Sequence, residues 1–263
     1  MHNSTAVGLT HSFGYDTLHR VEQAVDEEPN MPRMLPCPFF KSWSPDMAYV
    51  LGYWFADGNM YSQRSCKSYV VSIGSKDVEH LEALRGIIGV GKLTRITGSD
   101  VFKLVICRKE MFDDLLRLGG TERKSLTLAW PEVPVEYLAH FVRGYVDGDG
   151  SLTWHRPGNF VHPLISVVGT RAFLTGMAAA TQEATGIPMP VCHFEKGSSN
   201  TWAVKWYGVR AKCLAIWLYQ SNAGLGLARK QVLATAFAEW KPKVFDPTST
   251  TPKMWKLFGK LLL

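Results

Sequence analysis

Two stretches decide the fold: Leu51-Gly-Tyr-Trp-Phe-Ala-Asp-Gly58 and Val142-Arg-Gly-Tyr-Val-Asp-Gly-Asp-Gly150. Each reads as the end of a helix that stops at a glycine. Each carries small residues four apart, Gly52 and Ala56 in the first, Gly144 and Gly148 in the second. That spacing puts both on one face, where a second helix backbone can approach closely. Glycine inside a helix costs about 0.5–1 kcal/mol relative to alanine, and a tight seam between the two helices supplies the reason for it. Asp57 and Asp149 fall in the last turns, where the negative end of the helix dipole disfavours a carboxylate by about 0.3–1 kcal/mol. With the helices parallel, both carboxylates arrive at one end of the seam. A divalent cation relieves that arrangement. Oxygen ligands from the two carboxylates, the main-chain carbonyls of Ala56 and Gly148, and water suit Mg²⁺. Beside a basic protein surface they point to metal-assisted phosphodiester hydrolysis.

Working outward, the first helix is predicted over Pro45–Asp57, opening on the Ser44-Pro45-Asp46 start signal. A strand at Tyr69–Ile73 follows the turn-rich Ser62–Lys67, then a helix at Asp77–Ile88. Gly91–Thr97 and Val101–Cys107 read as a hairpin around Gly98-Ser99-Asp100, and Lys109–Leu118 as a helix before Gly119-Gly120. The order then repeats. A helix at Pro134–Asp149 precedes strands at Ser151–His155 and Leu164–Val168, and a helix at Arg171–Thr185. A hairpin of Val191–Glu195 and Trp202–Tyr207 surrounds Gly197–Asn200, and a helix at Arg210–Tyr219 follows. Three landmarks recur in the same order: Asp57 with Asp149, Gly74-Ser75-Lys76 with Gly169-Thr170-Arg171, and Arg123-Lys124 with Arg229-Lys230, their separations drifting as loop lengths differ. The pattern is α+β, two αββαββα repeats over 43–128 and 136–238, joined by a linker at 129–135. Residues 1–42 read as an N-terminal extension, acidic at Asp26-Glu27-Glu28 and proline-rich, with one helical segment around Thr17–Val25. Residues 239–263 form a tail whose amphipathic Lys253–Leu263 is expected to pack on its own domain.

The motif pair and the element order resemble the LAGLIDADG homing endonucleases in their single-chain, two-motif form, over residues 43 to 238. The resemblance implies pseudo-symmetric repeats packed through the motif helices, each with a four-stranded antiparallel saddle sheet in the DNA major groove. It implies a site-specific endonuclease of a mobile element that cuts both strands of a long, nearly asymmetric duplex target and leaves short 3′ overhangs. Carried over, Asp57 and Asp149 are the metal-binding catalytic acids. Asp147 matches Phe55 of the first copy and is not assigned to catalysis. Mg²⁺ is the implied cofactor, with Mn²⁺ substituting and Ca²⁺ supporting binding without cleavage. A basic residue near each scissile phosphate is implied. Lys205 is the candidate in the second half; its counterpart is Val105, so Lys103 on the same strand face is the candidate in the first. Ser75 and Thr170 are candidates for ordering the attacking water. Expected DNA contacts are Tyr61, Gln63, Arg64 and Lys67, with their analogues Thr153, His155, Arg156 and Asn159. Arg95, Thr97, His193 and Lys196 on the third strands join them, as do Lys124 and Lys230 at the backbone. Arginine or lysine reads guanine and asparagine or glutamine reads adenine, but the same groups bind phosphate. The same fold also resembles intron RNA maturases and DNA-binding regulators, which stand as the alternative, with intron RNA as a further partner.

Bland readings cover the rest. Asp147 and Asp149 would fit the first and third places of a calcium loop, but Leu152 and Gly158 occupy the sixth and twelfth, so an EF-hand is rejected. Trp54, Trp202, Trp206 and Trp217 read as packing residues. His155 and His193 lack a cluster that would make them metal ligands. Self-splicing is not expected, since the chain ends Gly-Lys-Leu-Leu-Leu without a His-Asn pair.

Composition narrows the setting. The chain has 263 residues, 46% of them hydrophobic, enough for a full core. A net charge of +6 leans toward a polyanionic partner. The odd set Cys37, Cys66, Cys107, Cys192 and Cys213 has no C-x-x-C pair, which argues for a reducing, intracellular compartment. No apolar run approaches the roughly 18 residues of a membrane span and no signal peptide is legible, so a soluble protein is expected; that it is a monomer is what the family resemblance implies.

Overall fold

The computed structural model describes residues 37–63, 68–194, 201–243 and 247–262. The predicted Thr17–Val25 segment lies outside them, as do Arg64, Lys67 and Lys196. The first repeat runs α1 (Pro45–Asp57), β1 (Gly58–Gln63), β2 (Ser68–Ser75), α2 (Val78–Ile88), β3 (Lys92–Arg95), β4 (Phe102–Ile106) and α3 (Lys109–Arg117). The second runs α4 (Leu138–Asp149), β5 (Gly150–His155), β6 (His162–Gly169), α5 (Arg171–Thr185), β7 (His193–Phe194), β8 (Trp202–Tyr207) and α6 (Gly208–Ala215). Helices α7 (Ala228–Glu239) and α8 (Pro252–Leu262) follow.

The two sheets have the same antiparallel order, β1-β2-β4-β3 and β5-β6-β8-β7. Their registers coincide. Gly58 pairs Ile73 and Ile73 pairs Leu104; Gly150 pairs Val167 and Val167 pairs Val204. Strand alternation then sorts the side chains. Met60, Ile73 and Leu104, like Leu152, Val167 and Val204, are buried. Their neighbours Asn59, Tyr61 and Gln63, like Ser151, Thr153 and His155, line the outer faces.

Helix α1 keeps its predicted bounds because its ends are written locally: Ser44 Oγ accepts from Met47 N at 3.1 Å, and the Gly58 N–H closes back on Trp54 O. It is buried almost all round, as its composition requires. Differences gather where tertiary contacts intervene. Helix α4 starts later than Pro134, behind a 3₁₀ turn at Val135–Tyr137. The predicted Arg210–Tyr219 helix changes to a π turn at Ile216–Gln220. There the buried Arg143 guanidinium draws in Leu218 O at 2.8 Å and Asn222 O. Arg229-Lys230 sit in the first turn of α7, whereas Arg123-Lys124 open only a 3₁₀ turn at Lys124–Leu126. Pro131 and Pro134 follow the first pair, and a helix does not run through them. Residues 37–42 pack on the first repeat: Cys37 and Phe40 are buried, and Lys41 Nζ meets Asp114 at 2.9 Å. Helix α8 lies against α5, with Lys253 Nζ donating to Glu183 O.

Candidate active site at the helix seam

The seam is backbone against backbone. A Cβ at Gly52 would overlap the carbonyl oxygen of Phe141, and one at Gly144 would overlap that of Tyr49. Further along, a Cβ at Gly148 would collide with Cβ of Ala56 and lie 3.2 Å from Asp57 Oδ2. Positions climb both helices together, so α1 and α4 are parallel and both C-termini finish at the same end. The missing side chain at Gly148 leaves Asp57 facing the partner helix end.

Each acid sits in a cavity that both repeats build. The Asp149 cavity, about 310 Å³, is lined by Ala56 and Lys124 from the first repeat and by Tyr145, Gly169 and Thr170 from the second. The Asp57 cavity, about 360 Å³, is lined by Tyr53 and Ser75 from its own repeat and by Gly148 and Arg229 from the other. Asp57 opens onto its cleft and Asp149 is half-buried. The surrounding protein still withholds enough water to raise both carboxyls. Asp57 moves above its ordinary value, and Asp149 rises to about 6, desolvation acting first and the charge of Asp57 adding to it. Lys124 and Lys230 oppose both shifts.

Those two lysines correct one expectation. Placed by sequence at the DNA backbone, both are buried, 6% and 3% exposed. They serve carbonyls at the C-terminal end of each motif helix, where the intrahelical ladder runs out. Lys124 Nζ donates to Phe55 O at 2.6 Å and Ala56 O at 2.8 Å. Lys230 Nζ donates to the carbonyls of Val146, Asp147 and Gly150, each at 2.7 Å. Burial lowers both ammonium groups to about 8 against the pull of the acids.

The donor set is hard oxygen. Two carboxylates with an open approach fit a cation such as Mg²⁺, which keeps waters and takes few protein ligands. Asp57 and Asp149 would hold it, with substrate phosphate and water completing the shell. No cluster of three or more His, Cys, Asp or Glu that could hold a metal occurs among the described residues. The Ala56 carbonyl, expected as a ligand, already accepts from Lys124.

No family model and no curated protein matches the sequence. Solved structures do. Mesophilic variants of the homing endonuclease I-DmoI match at TM-score 0.53 and 14% identity, over 73% of this chain and 97% of that one. The I-SmaMI LAGLIDADG homing endonuclease bound to cleaved DNA matches at 0.50 and 13%, over 84% and 96%. The meganuclease I-SmaMI bound to uncleaveable DNA matches at 0.50 and 13%, over 73% and 87%. The chain has the LAGLIDADG homing-endonuclease fold.

Within the LAGLIDADG frame, the remaining predicted residues divide. Ser75 and Thr170 stand beside the acids, but their hydroxyls are engaged: Ser75 Oγ accepts from Tyr53 Oη and Asp77 N at 3.1 Å, and Thr170 caps α5 through Phe173 N at 3.2 Å. Lys103 and Lys205 line neither acid cavity. They lie on the outer faces, Lys103 opposite Gly74 and Lys205 opposite Ser166. Tyr61, Gln63, Thr153 and His155 also hold outer positions, and His193 pairs Ala203 on that face. Arg95 pairs Phe102, in the inward row, with its guanidinium 5.9 Å over that ring. Lys92 and Thr94 take the outer places on β3. Thr97 lies in the turn beyond the strand, and Arg156 and Asn159 in the loop after β5.

Two features escaped sequence reasoning. Arg229 crosses the seam to Asp77, Nη2 to Oδ2 at 3.3 Å, a pairing with no local signal. Asp147, 1% exposed, accepts from Tyr49 Oη at 2.8 Å, Tyr219 Oη at 2.6 Å and Leu227 N at 2.9 Å. The motif marks Asp147 as unmatched in the first repeat, and its structural partners explain why it is there.

Proposed function

We propose that the chain is a site-specific DNA endonuclease that hydrolyses one phosphodiester on each strand of a long, nearly asymmetric duplex, as a monomer and with Mg²⁺. The observation that carries this reading is the pair of composite cavities: two carboxylates, each completed by the opposite repeat, at one end of a seam between two outward-facing sheets. The DNA-bound state of the I-SmaMI structures with the same fold supports a duplex partner.

A bound divalent cation supplies Lewis-acid stabilisation of the charge developing on the phosphate and a water of lowered pKa. The chain's own residues do the rest. Asp57 and Asp149 would hold the cation, which favours their ionised forms against the burial that raises both carboxyls. Lys124 and Lys230 hold the two helix ends and add positive potential beneath the phosphates. Tyr53 holds Ser75, and Tyr145, through Val168 O at 3.0 Å, braces the end of β6. Tyr61, Gln63, Thr153, His155, Lys103 and Lys205 face the groove from the two sheets and contact bases or phosphates.

The test is incubation of the purified chain with a randomised duplex library and Mg²⁺, followed by sequencing of cut ends. One enriched long site with short 3′ overhangs is expected. Selective binding without cutting in Mg²⁺ or Mn²⁺ would replace the nuclease by a binding module.

A further inference from the structure

At the far end of the second sheet from the seam lies a cleft of about 640 Å³ that the proposed cleavage reaction does not use. Its walls come from the loop after β5, the junction of β8 with α6, and the chain leaving α7. Phe160, His162, Tyr207 and Trp240 supply aromatic surface, and Lys241 and Lys243 stand among them. Phe160 is 58% exposed, with Lys243 Nζ 5.9 Å from its ring centroid, and Tyr207 is 43% exposed, with His155 and His162 against it. The walls are tied together: Trp240 Nε1 donates to Val161 O at 3.0 Å, and Lys212 Nζ to Trp240 O at 2.8 Å. Among the described residues no aspartate or glutamate lines the cleft.

Aromatic faces with ammonium groups form the surface that single-stranded nucleic acid uses: bases stack on the rings and phosphates meet the cations. A paired base cannot enter such a cleft without first leaving its stack, whereas an unpaired one presents its face freely. We infer that this cleft binds unpaired nucleotides of a DNA strand, one or two bases against Phe160, Tyr207 and Trp240, with the adjoining phosphates at Lys241 and Lys243. The choice of DNA follows from continuity. Tyr207 pairs Leu164, and His162 pairs His155, on the outer face of the same sheet. A strand lying on that face runs directly into the cleft where its duplex frays. This step from face to cleft rests on the DNA-binding reading above; the chemistry of the cleft does not depend on cleavage.

The test uses the full chain, without divalent metal, and two fluorescent probes: oligo(dT) of about twelve nucleotides and a blunt mixed-sequence duplex. Phe160→Ser removes an exposed ring, and Lys243→Ala a cation. Each variant is expected to weaken oligo(dT) binding about tenfold while leaving the duplex within twofold and the melting temperature unchanged. Iodouridine-substituted strand is expected to crosslink to the peptides carrying Phe160, Tyr207 or Trp240. Oligo(dT) bound equally by the wild type and Phe160→Ser would overturn the inference, as would full competition by polyphosphate, which has charge but no bases. Oligo(rU) bound more than tenfold tighter than oligo(dT) would reassign the cleft to RNA and overturn the DNA assignment. A crosslink from the cleft to residues 1–36, or to a second copy, in place of the strand would also overturn it. Strand binding without duplex binding would sink the DNA-face reading and leave the cleft standing.

Discussion

Tyr49 reaches across the helix seam and donates a 2.8 Å hydrogen bond to Asp147, a carboxylate with almost no contact with solvent. The same carboxylate holds Tyr219 in the π turn and Leu227 at the start of α7. One side chain therefore links α1, α4 and the helix that carries Arg229 and Lys230. Removing it strands two hydroxyls and an amide in the interior. Asp147→Ala is expected to cost about 3 kcal/mol and Tyr49→Phe about 1 kcal/mol, measured by urea unfolding. Equal small losses for both would show that Asp147 is not the hub.

The seam glycines give a graded series. Gly144→Ala drives a methyl into the Tyr49 carbonyl and is expected to lose about 3 kcal/mol or to separate the helices. Gly52→Ala should behave alike against Phe141. Gly86, inside α2, has nothing within 4 Å of an added Cβ. Gly86→Ala is therefore expected to gain about 0.5–1 kcal/mol. Thermal melts of the three variants decide the matter, and a neutral Gly144→Ala would mean the helices are not in contact.

Between pH 4 and 6.5 two buried groups, His80 and Asp149, pull metal-free stability in opposite senses. His80 is lowered to about 4 by burial, with Tyr49 Oη 3.1 Å from its Nε2, the Tyr53 ring beside it and Asp77 and Arg229 acting from a distance. The unfolded chain protonates it first, so its contribution is lost as pH falls from about 6.5 through 4. Asp149 is raised to about 6, so its contribution is present below its unfolded value and is lost as pH rises through 6. Each amounts to about 3 kcal/mol at most. In EDTA, Asp149→Asn should leave a protein that weakens on acidification, and His80→Gln one that strengthens. Parallel pH profiles for the two variants would contradict the assigned burial.

Alanine at Asp57 or Asp149 should abolish double-strand cutting and leave specific duplex binding largely intact, read by strand-labelled cleavage beside gel shift. If both variants cut at the wild-type rate, the acids are not the catalytic pair.

Lys230→Met removes three helix-end hydrogen bonds and Lys124→Met two. Both are expected to lose stability, by about 2 kcal/mol or more, with the larger loss at Lys230. Surface lysines would show shifts under 0.5 kcal/mol, so the unfolding midpoint distinguishes the two placements.

The sequence by itself determined the repeat, the bounds of α1 and α5, the parallel seam and the convergence of Asp57 with Asp149. Those features are written in local terms: a serine cap, a glycine stop, small residues four apart, and a landmark order used twice. Tertiary structure alone decided where the lysines went. By type, Lys124 and Lys230 belong on a surface, and nothing beside them in the chain says otherwise. They are buried because two helices end together in the interior, where their intrahelical ladders run out, and an ammonium group from a distant turn is the donor that fits. Arg95, turned to the inward row opposite Phe102, teaches the same lesson at smaller scale. Strand composition predicts a β residue, but a one-residue change in register exchanges its two faces, and register is set by pairing with residues elsewhere in the chain.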